Sequence, residues 1–288
     1  MILRLTATLL AVFLAMAAPL SVKADTFVFT AIPDQDESRL MTRFGKVADY
    51  LAEELGVEVR YIPVKSYAAA VTAFRNNEVQ MAWFGGFSGV QAQRLVPGSR
   101  AIAQGVEDPA FLSYLIVNAS TGIEPGEDFP MALRGKRFTF GSRSSTSGRL
   151  MPEYFMRQAT EQSPQQFFSR VGFSGDHNAT IALVQSGAWD AGVVNYKVWD
   201  QAVREGLVDE TRVRNVWTTP PYPDYHWVIR GDVEARFGEG FIDTVQAVLI
   251  GIEDEEILAS FPRQGFIPAN NDDYAPIVNT ARELDLLD

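Results

Sequence analysis

The chain contains no cysteine, which removes disulfides, thiolate nucleophiles, cysteine-ligated zinc and a lipid-anchored N-terminal cysteine from consideration. Histidine is almost as scarce. His177 and His226 are the only two in 288 residues and lie 49 positions apart, so no histidine cluster exists for a metal centre. Positive charge is short as well: 25 Lys and Arg face 36 Asp and Glu, a formal charge of −11 at pH 7. Such a chain carries no basic footprint for nucleic acid or anionic lipid. There is no GxSxG elbow and no GxxxxGK[ST] phosphate loop, so two common catalytic layouts are absent. What remains is an ordinary globular composition, 47% hydrophobic and 21% charged with 22 Gly and 15 Pro. That excludes disorder and collagen and suffices for one or two domains with a large core.

Residues 1–24 read as a secretory signal. Arg4 precedes the largely apolar run Leu5–Leu20, and Val22-Lys23-Ala24 offers small residues at the two positions a signal peptidase reads. Beyond that run, no stretch approaches the roughly 18 consecutive apolar residues of a bilayer span. Cleavage after Ala24 would remove Arg4 and Lys23 and take the formal charge from −11 to −13. The expectation is a soluble exported protein, most simply a periplasmic one, without membrane insertion of the mature chain.

The mature chain alternates strand and helix. Thr26–Ile32 reads as a buried strand, and 37–55 as a helix with Leu40, Phe44, Val47, Ala48, Leu51 and Leu55 on one face, ended by Gly56. Val57–Val64 alternates as a strand, Ser66 can cap a helix running to Phe74, and Val79–Phe84 forms a strand stopped by Gly85-Gly86. A second series begins at Lys136–Gly141 and continues through helices near 147–158, 178–186 and 196–205. This alternation implies βαβ units. Composition breaks near 119 and 222 divide the chain into lobe I (25–117 plus 223–288) and lobe II (118–222), with a cleft between. The fold class expected is α/β, two lobes, each a mixed or doubly wound sheet.

The most informative segment is GSRSSTSGRL, 141–150, between a strand and a helix. A helix start offers free N–H groups and the positive end of the peptide dipole. Ser145, Thr146 and Ser147 add hydroxyl donors, and Gly148 permits close approach. That combination can hold a small anion with little formal charge. Other residues have plainer readings on their own. Tyr67 reads as core, His177 as a neighbour of a helix cap, Lys197 as a solvated lysine, and Trp83 and Phe84 as the end of a buried strand. The acid pairs Asp34/Asp36 and Asp272/Asp273 read as solvated loop or cap residues.

FTFGSRSSTSGRLMPEYF resembles the signature loop of the phosphonate/phosphite-type solute-binding proteins of ABC importers. The resemblance continues in IPDQDESRL, SYAAAVTAFRNNEVQMAWFGG, SYLIVN and GFSGDHNATIALVQSGAWDAGVVN, so it covers the mature chain. The wording is most similar to a branch labelled as selenate transporters. This resemblance implies a type II-like periplasmic binding fold and a ligand held between the lobes at Ser145, Thr146, Ser147, Tyr67 and His177, with Phe84, Gly85, Lys197 and Tyr225 as further contacts. Phe111 aligns with an aromatic residue of aminoalkylphosphonate binders. Where those binders place carboxylates for the ligand's ammonium, this chain has Lys197 and Tyr225 beside Asp224, which disfavours an amino-phosphonate. The implied partners are a small tetrahedral oxyanion and a permease with its ATPase. No cofactor, no catalysis and a monomer are implied too.

A site made only of donors suits fully ionised anions such as sulfate or selenate. A carboxylate from Asp224 or Asp176 in the cleft would reverse that preference towards proton-bearing phosphite or phosphonates. Domain closure with hinges near 117 and 225 would bury the anion. Two other classes share the fold: a sensor feeding a receptor or kinase, and a periplasmic enzyme, for which no nucleophile–base pair or metal cluster is visible.

Overall fold

The computed structural model describes residues 25–287; the expected signal segment lies outside the described residues. Two sheets organise the chain. The first contains β1 (Phe27–Ala31), β2 (Val59–Tyr61), β3 (Met81–Phe84), β4 (Arg100–Gly105), β10 (His226–Ile229) and β11 (Phe266–Pro268), in the order β11-β4-β10-β3-β1-β2. The second contains β5 (Ser113–Asn118), β6 (Arg137–Phe140), β7 (Arg170–Phe173), β8 (Ala191–Asn195) and β9 (Val213–Thr218), in the order β7-β6-β8-β5-β9. The strands joined by helical crossovers pair in parallel, β1 with β2 and β3, and β6 with β7 and β8. Strands next to the lobe crossings run the other way, β10 against β3 and β4, and β5 against β8 and β9. Both sheets are therefore mixed.

The helices that carry the cleft begin at side-chain caps legible in the sequence. In α1 (Glu37–Leu55), Asp36 accepts from the Arg39 N–H, and Gly56 ends the helix at φ 64°. Ser66 accepts from Ala69 N to start α2 (Tyr67–Arg75). Gly85 precedes α3 (Gly86–Leu95), and α4 (Met151–Thr160) follows a π-turn over Thr146–Leu150. Pro152 lacks an N–H to bond the Gly148 carbonyl, and that carbonyl instead accepts from Gly141 N at 2.8 Å. A short α5 (Pro164–Phe167) comes before α6 (His177–Gln185), capped by Asp176, and α7 (Tyr196–Arg204), capped by Asn195.

One apolar core fills the first lobe. The second lobe's sheet separates two cores, one built on Leu115, Phe138 and Trp217, the other on Ile116, Val194 and Trp199. The first lobe boundary differs from the sequence expectation. SYLIVN was expected to close lobe I at 117, but β5 pairs on both edges within the second sheet, so the crossing precedes Ser113. An apolar strand looks the same in either sheet, and only its partners assign it. The returning chain passes beside the outgoing one: Phe111 and Tyr222 exchange N–H···O bonds of 2.8 and 3.1 Å, and Asp224 N donates to Asp108 O at 3.0 Å. The last segment, 223–288, returns to the first sheet with β10 and β11.

Candidate functional site

The two lobes meet over the Ser-Thr-Ser turn. Ser145, the N-cap of the π-turn, uses its Oγ to accept from Gly148 N at 2.9 Å. Thr146 Oγ1 accepts from the main-chain N–H of Phe87 at 2.9 Å, across the cleft. In each hydroxyl one lone pair is thus engaged by a backbone donor, and the O–H proton is left to be given elsewhere. Ser147 Oγ is buried without a hydrogen-bond partner, while its carbonyl accepts from Ser113 Oγ at 2.7 Å. All three residues are no more than 2% exposed. Tyr67, the first residue of α2, sets its hydroxyl against Ser145, and burial raises that hydroxyl well above the usual tyrosine range.

His177 opens α6 from the opposite wall. Its Nδ1 accepts from the main-chain N–H of Asn195 at 3.2 Å, so the ring proton of the neutral form resides on Nε2. Nε2 is fully buried and has no hydrogen-bond partner. Burial lowers His177 to about 4, against the opposing influence of Asp34, so the ring is a neutral donor at pH 7. The His177 N–H donates to the Asp34 carbonyl at 3.1 Å, a second main-chain link across the cleft.

Asp224 does enter the site. Its Oδ1 accepts from Gly86 N at 2.9 Å, and its buried Oδ2 has no partner. The Thr146 and Ser147 hydroxyls face the carboxylate. Burial raises Asp224 to about 7, in spite of the Gly86 N–H and the facing hydroxyls, which favour the ionised form. Gly85 lies at the same point: a Cβ there would stand 3.0 Å from Asp224 Oδ1 and 3.2 Å from Thr146 Oγ1. Asp176, the alternative carboxylate, caps α6 by accepting from Ala179 N at 2.8 Å.

The other expected contacts have partners of their own. Lys197 Nζ bonds Glu107 Oε1 at 2.9 Å, and its charge is matched by that acid. Lys197 also lines a small pocket with Asp34, Asn195 and Tyr225. Phe84 packs edge-on to Phe74, ring centroids 5.7 Å apart, inside the core of lobe I, which leaves Gly85 as the member of that pair at the clasp. Tyr225 is buried on Trp83, and its hydroxyl oxygen accepts from Asn195 Nδ2 at 3.0 Å. Phe111 packs against Tyr196 and Tyr225 at 4.9 and 5.3 Å.

Two residues at the site were not found from sequence. Asp34, read as a solvated loop acid, is 4% exposed and lies 3.9 Å from the buried Arg43. A loop acid followed by Asp36, a genuine cap, gave no sign of pointing inward. Asn195 ends β8 and caps α7, and only its tertiary partners set it apart from any other N-cap. Among the described residues no His/Cys/Asp/Glu cluster could hold a metal ion, and no helix is long and apolar enough to cross a membrane.

The arrangement is a buried clasp of hydroxyl, imidazole and turn N–H donors, with the free Oδ2 of Asp224 as an acceptor facing them. Comparison with known proteins follows the same line. The profile of a family described as "ABC transporter, phosphonate, periplasmic substrate-binding protein" matches residues 29–274. The chain is 43% identical over 261 residues to the probable ABC transporter phosphite binding protein PhnD1 of Prochlorococcus marinus (strain MIT 9301), covering 88% of each. It is 24% identical to the phosphate-import protein PhnD of Mycolicibacterium smegmatis, covering 84% of this chain and 75% of that one. The solved structure of P. marinus PhnD1 in complex with methylphosphonate superposes with a TM-score of 0.87 at 41% identity, covering 91% of this chain and 99% of that one.

Proposed function

The chain belongs to the phosphonate-binding family of periplasmic ABC-transporter substrate-binding proteins, and we propose that it captures a small, singly protonated phosphorus oxyanion, phosphite or methylphosphonate, for import. The observation that carries this reading is Asp224. A buried carboxylate whose free Oδ2 stands among hydroxyl donors accepts the one proton such an anion bears. Sulfate and selenate bear no proton near neutrality and would bring their oxygens against that carboxylate. The preference for them that a donor-only site implies is therefore withdrawn, because the condition on Asp224 is met. The relatives support the same choice: one is named for phosphite, and its solved structure holds methylphosphonate.

Ser145, Thr146, Ser147, Tyr67 and His177 supply hydrogen bonds from around the anion, and helix geometry supplies further N–H groups at the turn. The clasp's own donors are hydroxyls, an imidazole and turn N–H groups, while Lys197 and Arg43 beside it are paired with Glu107 and Asp34. Lobe closure about the paired crossings at Phe111 and Tyr222 completes the site, since Thr146 and His177 reach across to Phe87 and Asp34 only when the lobes meet. A permease with its ATPase would receive the closed form at the outer face of a cytoplasmic membrane.

A thermal-shift panel tests the assignment, with phosphite, methylphosphonate, phosphate, aminoethylphosphonate, sulfate and selenate added to purified protein. Ligand at 100 times its Kd adds about 2.7 kcal/mol of stability. Phosphite or methylphosphonate should raise the melting temperature most. A response confined to sulfate or selenate would overturn the reading.

A further inference from the structure

We propose that Asn195 is a positioning residue that aims two hydrogen-bond donors, one from each side of the cleft, at the bound anion. The proposal rests on the oxyanion reading above and concerns a residue outside the clasp itself. Asn195 is 2% exposed, and its polar groups have separate partners. Its Oδ1 accepts from the N–H groups of Lys197 at 2.8 Å and Val198 at 3.3 Å, the first-turn donors of α7. Those partners can only donate, so the amide orientation is fixed and Nδ2 is the atom that meets Tyr225. The Tyr225 oxygen is then the acceptor, at 3.0 Å, and its own proton must go elsewhere.

The surroundings of Tyr225 say where. Tyr225 lines one small pocket together with Asp34 and Asn195, on the side of the cleft where the Asp34 carbonyl receives the His177 N–H. From its main chain Asn195 does the same for His177: its N–H occupies Nδ1 and leaves Nε2–H as the free donor. One residue in lobe II therefore sets the tautomer of a lobe II imidazole and the rotor of a tyrosine that returns to lobe I. Serine, threonine or aspartate would cap α7 as well as asparagine does. None of them offers both the cap acceptor and an amide donor, and the function of the amide is the alignment of Tyr225.

The test is a set of variants read by titration calorimetry with phosphite. Asn195→Ser keeps a cap oxygen and removes only the amide; Tyr225→Phe removes the hydroxyl that the amide aligns. Each should weaken phosphite about tenfold, the value of one hydrogen bond to a charged ligand. The double variant should bind no more weakly than Tyr225→Phe alone, with melting temperatures close to wild type. Additive losses, or wild-type affinity in either single variant, would overturn the proposal. A second readout needs no ligand: the imidazole ¹⁵N spectrum of the free protein should report His177 protonated at Nε2, and the Nδ1–H tautomer would overturn the proposal. Absence of phosphite binding by the wild-type protein would instead defeat the oxyanion reading, with the ¹⁵N spectrum still deciding the tautomer.

Discussion

The main-chain N–H of Phe87, at the start of α3 in lobe I, donates to Thr146 Oγ1, in the π-turn of lobe II, over 2.9 Å. This bond occupies the acceptor side of the threonine hydroxyl in closing the cleft, and on the oxyanion reading its proton is available to the anion. Thr146→Val keeps the shape and removes both roles. It should lower phosphite affinity about 100-fold, since a buried N–H loses its partner and the ligand loses a donor. Thr146→Ser should stay within about tenfold. Calorimetry on the pair separates hydroxyl from volume. Equal affinity for Thr146→Val and wild type would remove Thr146 from the site.

If Asp224, raised to about 7 by burial, contacts the anion as proposed, binding should be proton-linked. The complex would then hold one proton between carboxylate and anion, whichever partner brings it. Above the pKa values of both, that proton must be taken from solvent, so affinity should fall about tenfold per pH unit. Asp224→Asn holds no such proton and should flatten the slope and admit sulfate. The closed form carries a matching signature even without ligand. A folded-state pKa above the unfolded value of 3.8 gives stability that is full below about pH 4 and is lost as pH rises through about 7. Relative to Asp224→Asn, wild type should therefore lose up to about 4 kcal/mol across that window, measurable by urea unfolding. A constant difference would place Asp224 outside the coupling.

At Gly85 the constraint is space. Its φ of −78° suits any residue, so backbone strain plays no part. The obstacle to a side chain is the 3.0 Å and 3.2 Å approach to Asp224 Oδ1 and Thr146 Oγ1. Gly85→Ala should fold normally and weaken phosphite by tenfold or more, about 1.4 kcal/mol. The variant would also spread Thr146 from Phe87, so dissociation should quicken more than association slows.

How much of this was legible in the sequence depends on whether local chemistry or tertiary pairing decides each feature. The helix at Glu37–Leu55 was readable to the residue, because its apolar spacing and Gly56 are local signals. So were the Ser66 cap and the strand-to-helix turn that Ser145 opens. The lobe assignment of SYLIVN was not, since an apolar strand does not name its partners. Lys197 was expected at the anion, and its ion pair with Glu107, 90 residues away, is a contact that no local signal announces. Asp34 and Asn195 carry ordinary loop and cap signatures, and only the cleft gives them a further role. Asp224 sat between: its two possible orientations and their consequences could be stated, but which one holds depends on Gly86 N.

At the rim, Arg39 and Glu205 form a two-point pair across the cleft, 2.9 and 2.5 Å. Both side chains are about one-third exposed, 30% and 35%, so the pair contributes less than about 1 kcal/mol. As neither residue lies at the clasp, Glu205→Gln should act through closure alone. Phosphite affinity should fall two- to fivefold, mainly in the dissociation rate, and the loss should vanish in about 1 M salt, where surface charges are screened. A loss that persists at high salt would mean that Glu205 acts by some other route.

Asp108 and Arg263 form a different kind of pair behind the site. They are 0% and 3% exposed at the side chain, joined by two bonds of 2.9 and 2.8 Å. The guanidinium lies over Phe111 and Tyr225 at 5.3 and 5.4 Å, and the Asp108 carbonyl accepts from Asp224 N. Asp108→Asn keeps the shape but strands a buried cation, and should cost about 3–5 kcal/mol of stability. Replacing both, Asp108→Leu with Arg263→Met, removes the stranded charge and should recover most of that loss, because two buried charges gain little over apolar groups of like volume. The tie from the Asp108 carbonyl to Asp224 belongs to the main chain and survives in the double variant. Phosphite affinity should therefore return with stability. If stability returned while affinity did not, the charge pair itself would have a part in holding Asp224 at the clasp, and the main-chain bond alone would not account for its position.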